Sequence, residues 1–398
     1  MAFFFMKRRP IWKILAIAAS VLAALVGAGA LWIRATADRK FAAMEEKIRA
    51  LEAEALCPDS TPRPGRTPGN AWDDYLAALT EASKIPSADK MIGLINRTEN
   101  ADVAFGEAAL AAHGSAVDLI VSGSRRASCV PPGRSALPAL WKWDTAFRLA
   151  ILKARALHQE GKTAAAVDLL LALCQFGRDL GQTGVAAASH FPYWALGMSL
   201  NELMDPLRGE RMPAESLTAI DARLAGLDAT FPPPERMRKQ QLQLVETINM
   251  PVQNSGFGAV LLSWRFGFSP RLLVGTLFEQ WEHWFTRSIA ADGLPWPEAL
   301  AEIAKLREEI DRLPFTRFSV SSGYLSDGRE VRAARARLRI LRTAAHYRAT
   351  GEILDLDDPF GTKLLRRRVG DRLKVWSVGH DGVDQGGGTE DIVLEVPR

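Results

Sequence analysis

From Ile14 to Ile33 the chain carries no charge, and beyond it Phe41, Met44, Ile48, Leu51 and Ala55 recur at steps of three and four. At about 1.5 Å rise per residue the uncharged run spans roughly 30 Å, the hydrocarbon thickness of a bilayer. The pattern predicts a transmembrane helix that continues outward as a short amphipathic stalk. Trp12 and Trp32 stand at its two ends, where amphipathic rings suit the headgroup level. The alternative is a signal peptide with Ala28-Gly-Ala30 as its cleavage site, but the apolar run is longer than a usual signal core.

Residues 57–69 contain four prolines and predict a linker or a strapped-down crossing. After it, Asn70 is a good N-cap for a helix over 71–84, with Asp73 and Asp74 in the first turn. Helical periodicity with Gly or Pro punctuation then predicts helices over 101–122, 138–160, 163–180, 185–207, 214–228, 233–249, 270–290, 296–313 and 328–350. The hairpin Ala154–Leu180, with Gly161 at its turn and Ala164-Ala-Ala-Val167 opening the second helix, resembles a tetratricopeptide unit. No second copy recurs, so the body reads as an irregular array or bundle of helical hairpins. Strand signals appear at the end: Leu364–Val369 and Leu373–Val378 flank Gly370-Asp371 as a hairpin, and Ile392–Val396 adds a third strand. The expected fold is mainly α. It comprises a tail over 1–13, an anchor over 14–33, a stalk over 34–56, the linker, a helical domain over 70–350 and a small β-rich subdomain over 351–398.

Charge refines this layout. The chain has 50 basic and 46 acidic residues. Lys7, Arg8, Arg9 and Lys13, with no acid among them, account for the whole excess, so the rest is formally neutral and gives no support to a nucleic-acid partner. The same four residues place the N-terminus on the cytoplasmic side. Arg332, Arg335, Arg339 and Arg342 form a basic stripe, expected to pair with Glu302, Glu308, Glu309 and Asp311 on the preceding helix. Arg265 and Arg271 interrupt the aromatic stretch 256–284, which reads as core helices with buried tryptophans and not as a second span. The cysteines show no zinc spacing. Cys57 and Cys129 sit in apparent loops and are the more plausible pair if the body is extracytoplasmic, whereas Cys174 lies in an apolar helical run as a buried thiol.

Six scattered histidines form no metalloprotease motif, and no nucleophile elbow, Walker loop or dinucleotide fingerprint is present. The candidate chemistry lies in the last residues, where Asp381, Asp384, Glu390 and Asp391 alternate with glycines. Glycines allow a tight loop, and carboxylates are the hard oxygen ligands that calcium takes. An EF-hand is excluded, because counting from Asp381 puts Val383, Gln385 and Ile392 at ligand positions. The competing reading is a solvated acidic turn.

Ala344–Ile392 resembles the C-terminal part of the major pseudopilin of type II secretion systems. The shared pattern is Tyr347-Arg348 and Gly351, then Asp358-Pro-Phe-Gly361, Trp376-Ser-Val-Gly-His-Asp-Gly382, Gly386-Gly-Gly388 and Asp391-Ile392. The resemblance implies a short sheet and a calcium-binding glycine loop, with calcium on Asp381 and Asp391 and, less directly, Asp384 and Glu390. The segment between Gly351 and Asp358 is shorter than in that family, and the N-terminus lacks its prepilin cleavage pattern. The whole layout also resembles bacterial membrane-anchored proteins of unknown activity that share this tail.

The expected protein is a single-pass bacterial inner-membrane protein with its bulk periplasmic or otherwise extracytoplasmic. It would serve as a non-enzymatic interaction or scaffold protein with a protein partner in the envelope. The alternatives are a hydrolase-like envelope enzyme with its site in the helical domain, and a component associated with type II secretion.

Overall fold

A computed structural model of the chain describes residues 11–55, 66–96, 102–130, 140–182, 191–209, 212–231, 270–312 and 328–398. Among these the helices are α1 (Ile11–Ala55), α2 (Ala71–Ala82), α3 (Ala88–Ile95), α4 (Val103–Ser124), α5 (Leu140–Gln159), α6 (Thr163–Gln182), α7 (Phe191–Gly209), α8 (Ala214–Ala229), α9 (Pro270–Asp292), α10 (Trp296–Asp311) and α11 (Gly328–Thr350). The strands are β1 (Thr67–Asn70), β2 (Arg126–Ser128), β3 (Leu365–Val369), β4 (Arg372–Ser377) and β5 (Ile392–Pro397). The fold is mainly helical with a small C-terminal antiparallel sheet, as the periodicity predicts. The chain divides into two compact units, Met1–Leu51 with Leu242–His283, and Glu52–Gln241 with Trp284–Arg398.

In the first unit, anchor and stalk are one unbroken helix. Between Ala16 and Lys47 it is long and apolar enough to cross a membrane, and its most apolar window buries no residue. Leu25 and Leu31 are 66% and 71% exposed. Farther along, Ala37 and Met44 are buried, and Lys40 and Lys47 pair with Glu279 and Glu282 on α9. The expected helix over 270–290 is present as α9, with Phe278 buried; residues 256–269 lie outside the described residues, as does the helix expected over 233–249.

The second unit is built on an aromatic core. Trp72 from α2 meets Trp143 from α5 edge to face at 5.3 Å, and Tyr75 meets Phe176 from α6 in the same manner at 4.8 Å. Rings in this arrangement add roughly 0.5–1.5 kcal/mol per pair beyond the area they bury. Asn70 Oδ1 caps α2 by accepting from Trp72 N, and Asp102 caps α4 by accepting from Phe105 N. The α5–α6 hairpin turns at Gly161, whose φ of +74° favours glycine. Gly177 lets α6 approach α7, since a Cβ there would lie 3.0 Å from Pro192 O. Helix α4 is also apolar and long enough to span a bilayer, yet Ala109, Ala116, Val117 and Ile120 are buried in this core.

The described end of the 57–69 stretch is strapped down: β1 pairs in parallel with β2, and Asn70 ties the two together by donating to Val130 O and accepting from Val130 N. Two expectations are corrected. Helix α3, capped by Ser87, stands where no helix was predicted. The arginine stripe does not pair with the helix before it. Arg335, Arg339 and Arg342 converge on Asp228 of α8, and Arg342 also reaches Asp221. Arg332 donates to the carbonyls of Asp292, Leu294 and Pro359. Glu302 and Glu309 pair instead with Arg287. Long guanidinium stems select the carboxylates on a helix that packs beside them, and α8, like α7, packs extensively on α11.

The C-terminal sheet has the order β3-β4-β5, with Gly370 at the hairpin turn. Leu373 and Val375 of β4 and Leu394 and Val396 of β5 are buried and share one apolar cluster with residues of α7 and α11. Strand alternation thus puts one face of the sheet onto the helices.

Candidate functional site

Two linked polar clusters follow from the Asp-Pro-Phe-Gly turn and the acidic glycine loop. Asp358 is buried at the first. Its Oδ1 accepts from Phe360 N at 3.0 Å and Ser377 Oγ at 2.7 Å, and its Oδ2 accepts from Val378 N at 3.1 Å. One carboxylate therefore binds the turn to the end of β4. Burial pushes its pKa above the ordinary aspartate value, against the downward pull of those hydrogen bonds. Phe360 packs edge to face on Trp296 at 5.1 Å, Arg332 lies over the Trp296 ring, and Trp296 Nε1 donates to His380 O. Helices α10 and α11 thereby hold both the turn and the start of the loop.

The loop between β4 and β5 is organised by its own acids. Asp391 is buried, and its Oδ2 accepts from the backbone N–H groups of Gln385, Gly387 and Gly388 at 3.2, 2.8 and 3.1 Å. Asp384 Oδ1 accepts from Trp376 Nε1 at 2.9 Å and from Gly386 N at 2.8 Å, and the Trp376 bond leads the causes that hold its pKa below the usual range. Asp381 accepts from Val383 N and from the Gln385 side-chain amide. Lys374 Nζ donates to Gly386 O at 2.9 Å. Gly386 and Gly387 have φ near +70° and +79°, the conformation that turns consecutive N–H groups inward.

Of the four predicted ligands, Asp384 and Asp391 are brought onto the same run of glycine N–H groups. Asp381 joins them through Gln385. Glu390 stands apart, exposed, with its carboxylate 3.9 Å from His380 Nε2. Among the described residues no group of three or more His, Cys, Asp or Glu side chains is gathered as a metal-ligand set. One observation nevertheless suits a hard cation: Asp391 Oδ1 is buried and has no hydrogen-bond partner. A buried carboxylate oxygen without a donor is costly, and a cation is one way to satisfy it. Calcium takes carbonyl and water oxygens beside carboxylates, so this one oxygen is the loop's point of agreement with a cation and the rest of a ligand shell is not gathered among the described side chains.

Sequence reasoning gave no role to Asp358, Ser377 or Lys374. Asp358 stands in the turn motif, and an acid before Pro-Phe-Gly, in a chain about to form a hairpin, was the available signal. Elsewhere three histidines have polar partners: His113 meets Glu81, His158 meets Thr163, and His346 meets Asp221. Cys174 is buried in α6, which pushes its thiol up to about 12 and leaves it inert. Cys129 is buried, and Cys57 lies outside the described residues. Comparison with protein-family models, curated proteins and solved structures finds no match.

Proposed function

We propose that the chain is a single-pass protein of the bacterial inner membrane. Its N-terminus is cytoplasmic, and its helical body and C-terminal sheet lie outside the cytoplasm as a non-enzymatic interaction scaffold. The observation that carries this reading is the exposed apolar surface of α1, where Val21, Leu22, Leu25, Val26, Leu31 and Trp32 all stand more than half exposed. A surface of that length and composition is stable in lipid and a liability in water. The basic N-terminal residues supply the orientation. Protease treatment of spheroplasts is the test: the body should be digested from outside while the chain resists alkaline extraction. Protection of the body in spheroplasts overturns the topology. For the scaffold role, a specific envelope protein should co-purify from detergent-solubilised membranes; repeated recovery of the chain alone argues against it.

The C-terminal loop is read as a structural calcium site centred on Asp391, with Asp381, Asp384 and Glu390 as the nearby acids. It rests on the partnerless Asp391 Oδ1 and on the resemblance of the surrounding motifs to the pseudopilin tail. Calcium would supply charge neutralisation and a fixed loop, with no reaction attached. Thermal unfolding of the full chain in detergent should shift upward with calcium and not with magnesium at equal ionic strength. The Asp391→Asn variant, which retains an acceptor for the glycine N–H groups, should lose that shift. An undiminished calcium response in Asp391→Asn moves the site elsewhere.

A further inference from the structure

Between α7, α11 and the β4–β5 loop lies a cleft of about 410 Å³. Its size falls within the range of small-molecule sites, on the order of 300–1,000 Å³. Arg337 of α11 lines it. This residue stands off the arginine stripe, since Arg335 and Arg337 differ by two positions and so face nearly opposite sides of a helix. Every stripe arginine has a carboxylate or carbonyl acceptor. Arg337, among the described residues, has neither a hydrogen bond nor an ion pair. It is half-buried, its Nη1 lies 3.6 Å from where a Cβ on Gly197 of α7 would stand, and burial pulls its pKa below that of a free guanidinium, only partly offset by the charge of Glu330. Leaving a charged group desolvated and unpaired destabilises a fold. Arg329, about two turns before Arg337 on α11, is exposed, lines the same cleft and is likewise without a hydrogen bond or ion pair among the described residues.

The rest of the lining narrows the ligand. Glu330, Glu390 and Asp391 border the cleft with Arg208, Arg329 and Arg337, so a dianion would meet repulsion that a monoanion largely escapes. Ala333, Ile392 and Val393 contribute part-exposed apolar surface, whereas Met204 and Phe360 in the same lining are almost wholly buried. We propose that this cleft binds a monocarboxylate carrying an apolar body, its carboxylate on the Arg337 guanidinium and its body against the apolar wall. A planar guanidinium presents paired donors that match a carboxylate. The cleft shares Glu390 and Asp391 with the loop read as a calcium site, so the measurement is made both in calcium and in chelator, while the proposal does not depend on the membrane topology.

The test is thermal unfolding of the full chain in detergent with hexanoate, with hexanamide as the neutral counterpart, and with inorganic phosphate, all at matched ionic strength. Hexanoate should raise Tm dose-dependently, by roughly 2 °C at tenfold excess over its Kd. Hexanamide should not, and phosphate should act more weakly. Arg337→Met should raise Tm without additives, because it removes an unpaired buried charge, and should abolish the hexanoate response. A hexanoate shift retained in Arg337→Met, an equal shift with hexanamide, no shift with hexanoate, or a larger one with phosphate each overturns the proposal. If Arg337→Met does not fold, Arg337→Lys serves, with a weakened hexanoate response expected and an unchanged one counting against the site. A tripeptide ending in Leu-Leu, with a free or an amidated C-terminus, separates the two sources of the group. Stronger stabilisation by the free-acid peptide than by hexanoate assigns a peptide terminus, and the reverse assigns a free acid.

Discussion

The aromatic core under α2, α5 and α6 and the C-terminal turn-and-loop module use different forces to solve the same problem of fixing chain segments against each other. In the core, Trp72, Tyr75, Trp143 and Phe176 are essentially unexposed and meet through ring edges and faces. In the module, Asp358 and Asp391 each collect three donors, five of the six being backbone N–H groups. Area buried is non-directional and tolerates small shifts, whereas a carboxylate gathering three N–H groups specifies a loop conformation. The difference teaches where each region is vulnerable: the core to lost volume, the module to lost acceptors.

The largest expected effect comes from emptying the core. Trp143→Ala should cost about 3–5 kcal/mol, the usual range for deleting a buried large aromatic, because its neighbours cannot collapse fully into the space. Chemical denaturation of the full chain in detergent, followed by far-UV circular dichroism, measures it. A loss below about 1 kcal/mol would mean the rings are not packed as described.

Next is the module. Asp358→Ala leaves Phe360 N, Val378 N and Ser377 Oγ without their acceptor, at a cost of roughly 2–4 kcal/mol. Hydrogen exchange should show the loss of protection concentrated at residues 358–380, with α2, α5 and α6 little changed. Uniform loss across both regions would show that the two unfold as one and would break the comparison.

The two regions also differed in how openly the sequence declared them. Helices were legible where a local signal marked their ends, as Asn70 does for α2 and Gly161 for the α5–α6 turn. The three strands were legible because Gly370-Asp371 punctuates an alternating run. The short α3 follows Pro86-Ser87 with barely two turns of pattern, and β1 is a strand only because β2, far along the chain, lies beside it. Pairing choices were the least visible. The periodicity puts the stripe arginines on Glu302, Glu308, Glu309 and Asp311, yet three of the four share Asp228 and Arg332 takes carbonyls, since nothing local says which helix packs on α11. At the candidate site the four acids were named from composition, but their use as acceptors for loop N–H groups depends on glycine backbone angles that no residue type alone prescribes. Arg337 was hidden for the same reason, because an arginine is conspicuous only once its neighbours are known to offer it no partner.

The smallest effect is the sharpest discriminator, because the two regions carry aspartates shifted in opposite directions. Asp74 of α2 is held below the ordinary value, chiefly by its hydrogen bond from Arg126, with Ser122 adding a second. Asp358 is raised, chiefly by burial. For Asp74 the unfolded chain binds the proton more readily, so its contribution is present above the unfolded pKa and is lost as pH falls through the lower folded value. For Asp358 the folded chain binds the proton more readily. Its contribution is full below the unfolded pKa and is lost as pH rises through the higher folded value. Relative to wild type, Asp74→Asn should therefore be most destabilised near neutrality and converge with wild type in acid. Asp358→Asn should compare most favourably with wild type near neutrality and fall behind it as pH drops through the raised pKa. Denaturation midpoints of both variants across the acid range test this, and parallel profiles would mean that the module's buried carboxylate is as well compensated as the ion pair on α2.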